Sequence, residues 1–235
     1  FKDHPALLMW GIGNEVEAEL TDSARVWPAI EDAARMVKSV DPNHPTMAVL
    51  QEAGDGKVRK VRDLAPSVDV LGVNSYGDAV RTLPARVRGQ QWSGPLIVTE
   101  LGALGEWQAG RTPWGAAIEP TSTDKARLMQ QYLAVSANPE FAGQIVFYWG
   151  QKQEATPTWY GLFLPDGGWT QPLEAMAHAW NGRTPNGNHA PRIAALSLQG
   201  DRSRDGTNAR RIALRAFDPD NDALTVRWQV LAEST

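Results

Sequence analysis

The chain contains no cysteine, so neither a disulfide framework nor thiolate chemistry is open to it, and redox chemistry marks no compartment. Histidine is nearly as scarce. His4, His44, His178 and His189 are scattered, without the His-Glu-x-x-His spacing or any other pattern that holds a catalytic metal. No apolar run approaches the ~20 residues that a membrane-spanning helix needs. Basic blocks are missing too. The formal charge is −4 over 235 residues, which speaks against nucleic acid or an anionic membrane surface as a partner. A dinucleotide fingerprint is also absent, because Gly11-Ile12-Gly13 lacks the third glycine and the acidic residue that follows it. No cofactor is implied. No secretory leader is visible, and Phe1-Lys2-Asp3-His4-Pro5 runs straight into a strand without an initiator methionine, so the chain reads as a piece of a longer one.

What remains is ordinary globular material, 42% hydrophobic and 21% charged, enough for a substantial core. Ten tryptophans are many for this length. Trp offers a large apolar face and a polar edge, which suits stacking on sugar rings as well as core packing.

Two stretches carry the chemistry. Leu7-Leu8-Met9-Trp10-Gly11-Ile12-Gly13-Asn14-Glu15 reads as a short, fully buried strand closed by an amide and a carboxylate. Pro95-Leu96-Ile97-Val98-Thr99-Glu100 has the same form. A carboxylate at the C-terminal mouth of a parallel strand points into the crevice where α/β folds keep their chemistry. Two of them, about two βα units apart at ~30 residues each, match the acid pair of glycoside hydrolysis.

Between and beyond them, strands and helices alternate. A helix is expected over Ser23–Val40, started by Thr21-Asp22-Ser23 after a polar loop with Glu17 and Glu19. A strand follows over Thr46–Leu50, then a turn at Gly54-Asp55-Gly56 and a helix over Lys57–Leu64. The next strand, Val68–Gly77, again ends in polar groups. Pro84 should kink or split the helix Ala79–Arg88. A long loop, Gly102–Pro120, carries Trp107 and Trp114. A helix over Lys125–Ala137, a strand over Gln144–Gly150, a small hairpin over Thr158–Thr170 and a helix over Pro172–Trp180 complete the series. The order is that of a parallel α/β sheet or barrel. Five strands fall short of the ~250 residues of a full barrel, leaving a small doubly wound domain or a barrel without its front. Asn181–Pro191 has the composition of a linker. Beyond it, Arg192–Leu198, Arg210–Phe217 and Leu224–Leu231 alternate as in an antiparallel β-sandwich cut short.

His4-Pro5 followed by Leu8-Met9-Trp10-Gly11-Ile12-Gly13-Asn14-Glu15 resembles the fourth barrel strand of the clan of retaining glycosidases with (β/α)8 folds, in particular the family 2 TIM-barrel domain and its family 5-like relatives. Val98-Thr99-Glu100-Leu101-Gly102 resembles strand seven, Leu71-Gly72-Val73-Asn74-Ser75-Tyr76 strand six, and Phe147-Tyr148-Trp149-Gly150 strand eight. The resemblance covers roughly residues 4–180. It implies strands four to eight of a TIM barrel over residues 1–182, a linker at 183–191 and a partial immunoglobulin-like domain at 192–235. That last domain rests on the Asp-Pro-Asp turn at Asp218-Pro219-Asp220. The implied activity is that of a retaining β-glycoside hydrolase acting on a β-linked carbohydrate. Glu15 would be its acid/base and Glu100 its nucleophile. Asn14, Asn74, Tyr76, Trp149 and Gln151 would bind substrate, Tyr76 lying against the nucleophile. A secreted or periplasmic setting is implied with it.

Other readings stay open on the residues alone. Asn14-Glu15 can cap a helix, Tyr76 can be a rim aromatic, and Trp149 can be barrel core. Trp159, Glu154 and the loop tryptophans are candidates for further subsites. Asp218, Asp220 and Asp222 can hold calcium or form a solvated turn. A glycan-binding barrel without turnover, a transglycosidase using the same two glutamates, and a carboxylate metallohydrolase are the alternatives in function. Cut from its front strands, the fragment is expected to be a poor catalyst.

Overall fold

The structure is a computed structural model that describes residues 1–18, 25–54, 56–199 and 211–231. Glu19, the helix start at Thr21-Asp22-Ser23, Asp55 and Arg210 lie outside the described residues. Two compact units emerge: Phe1–Gly102 with Tyr132–Phe147, and Ala103–Gln131 with Tyr148–Thr235.

The first unit holds a five-stranded parallel sheet. Its strands are β1 (Trp10–Asn14), β2 (Thr46–Gln51), β3 (Val70–Tyr76), β4 (Leu96–Gly102) and β5 (Gly143–Val146), and each is hydrogen-bonded only to its sequence neighbours in that order. The crossovers are α1 (Val26–Val40), α2 (Lys57–Leu64), α3 (Ala79–Gly89) and α4 (Ser122–Ser136). This order decides between the two architectures. A doubly wound sheet reverses direction at a switch point. A sheet that adds every strand on the same side follows the barrel progression.

Burial follows position in the sheet. β3 is the middle strand and is buried along its whole length. Leu71, Val73, Leu96, Val98 and Leu101 form the core with Val58 and Val61 of α2 and Val80, Leu83 and Val87 of α3. α1 buries Val26, Trp27, Ile30 and Ala34, one face at helical spacing. β1 departs from the expectation of a fully buried strand. It begins only at Trp10, alternates between half-buried and exposed, and leaves Leu8 in solvent. The reason is position: β1 is an edge with one neighbour. Its base is pinned by the Trp10 indole N–H, which donates to Asp41 at 2.9 Å.

Of the expected kink or split at Pro84, the split does not occur: α3 continues through Pro84 to Gly89. Pro84 is buried beside Val80, Leu83 and Val87, and this packing on β3 and β4 outweighs the lost amide. The fifth strand is shorter than expected. Gly143–Val146 is strand, whereas 147–150 is irregular.

In the second unit, Thr121 caps α4. Its hydroxyl accepts from the Asp124 amide at 3.1 Å and donates to the Asp124 carboxylate at 2.8 Å. Lys125 is buried and bonds Glu119 at 2.6 Å and the Thr158 carbonyl at 2.6 Å, tying two loops together. Phe163 bridges Trp169 in the expected hairpin. Helix α5 (Gln171–Asn181) follows. The composition-based linker is docked: Ala190 is buried and its amide donates to Glu174 of α5 at 3.0 Å. β6 (Arg192–Gln199) and β7 (Arg211–Phe217) pair antiparallel. The expected third strand is missing, since 224–231 has no regular structure. Among the described residues the all-β part is one ribbon, whose Leu196, Leu198, Ile212 and Phe217 stand exposed. A two-stranded ribbon has no second layer to cover them.

Candidate active site

The site lies at the C-terminal ends of β1 to β4 and is centred on β3. On a strand, Asn74 and Tyr76 share one face while Ser75 points to the other. Asn74 is 2% exposed. Its Nδ2 donates to Glu15 Oε1 at 2.8 Å and to Asn14 Oδ1 at 3.0 Å. Its Oδ1 accepts from the Thr99 hydroxyl at 2.7 Å. Two residues on, the Tyr76 hydroxyl donates to Glu100 Oε2 at 2.7 Å. The second oxygen of Glu15 accepts from Gln51 Nε2 at 3.3 Å. Glu15 and Glu100 are therefore held by adjacent same-face positions of a single strand. The Cα register also sets Asn74 opposite Glu100, an inter-strand spacing of about 4.8 Å.

Local irregularities make this convergence possible. β4 carries a bulge: Val73 pairs with Val98 and Asn74 with Glu100, so Thr99 is the extra residue. The β5 side has the same offset between Val98 and Leu101. A bulge sets two successive residues opposite one, and here both Thr99 and Glu100 bond side chains on the Asn74–Tyr76 face. β1 has its own shift between Gly11 and Asn14, with Gly13 at φ 73°, and this brings Asn14 round to Asn74. Glu15 itself lies in the left-handed region at φ 51°, a backbone state that costs a non-glycine residue about 1–3 kcal/mol. Two glycines make room. A Cβ on Gly102 would sit 2.5 Å from the Tyr76 ring, and one on Gly72 would sit 2.8 Å from Thr99 Cγ2. Tyr76 also meets Phe147 edge-on at 6.1 Å.

Of the residues singled out in the sequence, Asn14, Glu15, Asn74, Tyr76 and Glu100 come together. Trp149 and Gln151 belong to the second unit. Trp149 lies beyond the fifth strand, is 65% exposed and meets Phe163 edge-on at 5.0 Å. The Gln151 amide donates to the Pro157 carbonyl at 3.1 Å. Trp159 is buried, its indole donating to the Leu104 carbonyl at 2.9 Å, so it is a packing residue. Trp107 and Trp114 are exposed. Asp218 turns back on its own loop, accepting from the amides of Asp220 and Asp222, and Asp220 faces His189. Among the described residues no group of three or more His, Asp or Glu side chains is arranged to hold a metal ion. Nor is any described helix long and apolar enough to cross a membrane.

Sequence reasoning passed over Thr99, Gln51 and Glu52. Gln51-Glu52 closes β2 as Asn14-Glu15 closes β1, and Glu52 also lies at positive φ, 54°. Its carboxylate goes elsewhere. It accepts from the Ser75 hydroxyl and forms an ion pair with Arg86 of α3 at 2.6 Å. Glu17, expected in a polar loop, is buried, bonding the Gln51 amide at 2.9 Å and Lys57 at 3.1 Å.

No protein-family model matches the chain, and no curated protein matches it in sequence. Solved structures do resemble it in fold. A Bacteroides uniformis β-glucuronidase, covalently bound to cyclophellitol-6-carboxylate aziridine, aligns at 18% identity and a TM-score of 0.57, over 81% of this chain and 25% of its own. A Ruminococcus gnavus β-glucuronidase in complex with D-glucuronic acid aligns at 17% identity and 0.55, over 76% of this chain and 32% of its own. A glucosidase from Croceicoccus marinus aligns at 16% and 0.54, over 72% of this chain and 39% of its own. The chain therefore spans between a quarter and two-fifths of the structures it resembles, and its α/β part has the fold of a partial TIM barrel.

Proposed function

We propose that this chain carries the catalytic acids of a retaining β-glycoside hydrolase. The observation that supports this most is the pairing of Glu15 and Glu100 through Asn74 and Tyr76, adjacent positions on one face of β3. In double displacement, Glu100 attacks the anomeric carbon, forming a carbon–oxygen bond as the glycosidic bond breaks, and Glu15 gives its proton to the leaving oxygen. Glu15 then removes a proton from water, which displaces Glu100 and restores both carboxyls. The Tyr76 hydroxyl steadies the Glu100 carboxylate in its ionised form. Asn14 is solvent-exposed and available to the sugar, where a hydrogen bond to the 2-hydroxyl strengthens in the transition state. A β-linked oligo- or polysaccharide is the substrate, met in a secreted or periplasmic setting.

A β-glucuronidase of similar fold is found covalently bound to a carboxylated cyclophellitol aziridine. The corresponding test treats the full-length protein with cyclophellitol aziridines of the gluco and glucuronic series, then locates the adduct by peptide mass spectrometry. The expected result is one adduct, on Glu100. An adduct on another residue, or none with any sugar, overturns the assignment. A transglycosidase uses the same intermediate and is told apart by adding acceptor sugars. Residues 1–235 alone, with a sheet open at β1 and β5, should turn over aryl β-glycosides poorly.

A further inference from the structure

The double-displacement reading uses Glu100 but gives no task to Thr99, although Thr99 is the residue that the β4 bulge adds. Its hydroxyl is spent on Asn74 Oδ1 at 2.7 Å, not on the backbone of its own strand. Gly72 leaves the space that this side chain fills, since a Cβ there would lie 2.8 Å from Thr99 Cγ2 and 2.9 Å from Val49 Cγ2. An asparagine amide has an acceptor end and a donor end of nearly equal shape, and only its partners decide which way round it sits. Here the Glu15 carboxylate, which can only accept, takes the nitrogen end, and the Thr99 hydroxyl donates to the oxygen end and so pins the amide in that orientation. All of this happens around a side chain that is 2% exposed, where water does not replace a lost partner.

We propose that Thr99 is a positioning residue for Glu15: by anchoring the oxygen end of the Asn74 amide, it lets the strand that bears the nucleophile also fix the carboxyl that donates the proton. This rests on the glycosidase reading above. The acid and the nucleophile are then linked through consecutive residues of β4, so one bulge sets both. Asn74 accordingly acts on Glu15 before it acts on any sugar.

The test compares Thr99→Val, which keeps the shape and removes the hydroxyl, with Thr99→Ser, which keeps the hydroxyl. It uses full-length protein and two aryl β-glycosides of whichever sugar the wild type prefers, one with a phenyl and one with a dinitrophenyl leaving group. Bond cleavage to dinitrophenolate needs no proton from Glu15. Thr99→Val should lower kcat/KM about tenfold on the phenyl glycoside, as loss of one buried hydrogen bond would, and less than about twofold on the other. Thr99→Ser should restore both. Equal losses on the two substrates overturn the proposal. A second readout needs no turnover: hydrogen exchange of the Asn74 side-chain amide, followed by NMR, should speed up in Thr99→Val. Exchange at the wild-type rate overturns the positioning role by itself. Faster exchange in a protein whose wild type cleaves no β-glycoside overturns the catalytic reading instead.

Discussion

The ends of β1 and β2 are nearly the same object in sequence and backbone, yet they do opposite things. Each closes with an amide followed by a glutamate, Asn14-Glu15 and Gln51-Glu52, and each glutamate sits in the left-handed region, at φ 51° and 54°. Glu15 turns to Asn74 and Gln51. Glu52 turns to Ser75 and Arg86. Since Ser75 stands between Asn74 and Tyr76, the two carboxylates end on opposite faces of β3. The difference is one of register. β2 pairs regularly with β3, so Gln51 faces the site and Glu52 the helix side, whereas β1 shifts between Gly11 and Asn14. One residue of offset separates a candidate proton donor from a strap.

The sharpest way to break this comparison is to neutralise each glutamate in turn. Glu15→Gln should cost about 10²–10⁴-fold in kcat/KM on a substrate with a poor leaving group, while unfolding free energy stays within about 0.5 kcal/mol of wild type. Glu52→Gln should leave the chemistry within a few-fold. Its cost is stability, about 1–2 kcal/mol, discounted because a third of both partners' side chains is exposed. The Arg86 Nε, already buried without a hydrogen bond among the described residues, makes that loss felt. Steady-state kinetics and urea melts on the same preparations separate the outcomes. A Glu52 variant that fails in turnover at full stability would erase the distinction.

Adjacent residues of β3 test the same division more finely. Tyr76→Phe removes a hydrogen bond to an ionised carboxylate, and the expected loss is about 10–100-fold in kcat/KM with little change in stability. Ser75→Ala should do the reverse, costing about 0.5–1.5 kcal/mol of stability and almost no activity.

The smallest expected effect concerns the opposite ends of the two strands, where the first residue of each donates to an aspartate. The Trp10 indole N–H donates to Asp41, and the Thr46 amide donates to Asp69 at 2.8 Å. The Trp10 bond, with help from His44, holds the Asp41 carboxyl below its ordinary value against the opposing pull of burial. At Asp69 burial pushes upward most strongly, but Lys38 and Thr46 together outweigh it, and that carboxyl too is lowered. Carboxyls lowered on folding stabilise the protein above their unfolded value of about 3.9 and lose that contribution as pH falls through the folded value. Urea melts between pH 6 and pH 2.5 should therefore show stability falling below about pH 4. Asp41→Asn and Asp69→Asn should each flatten the slope.

Several of these features are legible in the chain alone. Apolar runs ending in polar groups mark β1 to β4 because a strand covered by helices has no use for charge until it reaches the mouth of the sheet. That is why Glu15, Glu100, Asn74 and Tyr76 can be picked out and why they meet. The exposure of β1 is not legible. Its string matches that of a central strand, and only the count of neighbours tells an edge from a middle. Pro84 misleads in the same way, since its local cost is visible and the packing that offsets it is not. Thr99 is hidden because a bulge that follows an apolar run without alternation leaves no break in the period.

Taken alone, the residues determined the alternation of strands and helices, the pair of strand-ending acids and the absence of thiol chemistry. These are properties of short stretches and of composition. The tertiary structure decided which way each acid points, which strand is an edge and which hydroxyl bonds the Asn74 amide. Those depend on register between segments far apart in the chain, and a shift of one residue there turns a side chain from one face of a sheet to the other.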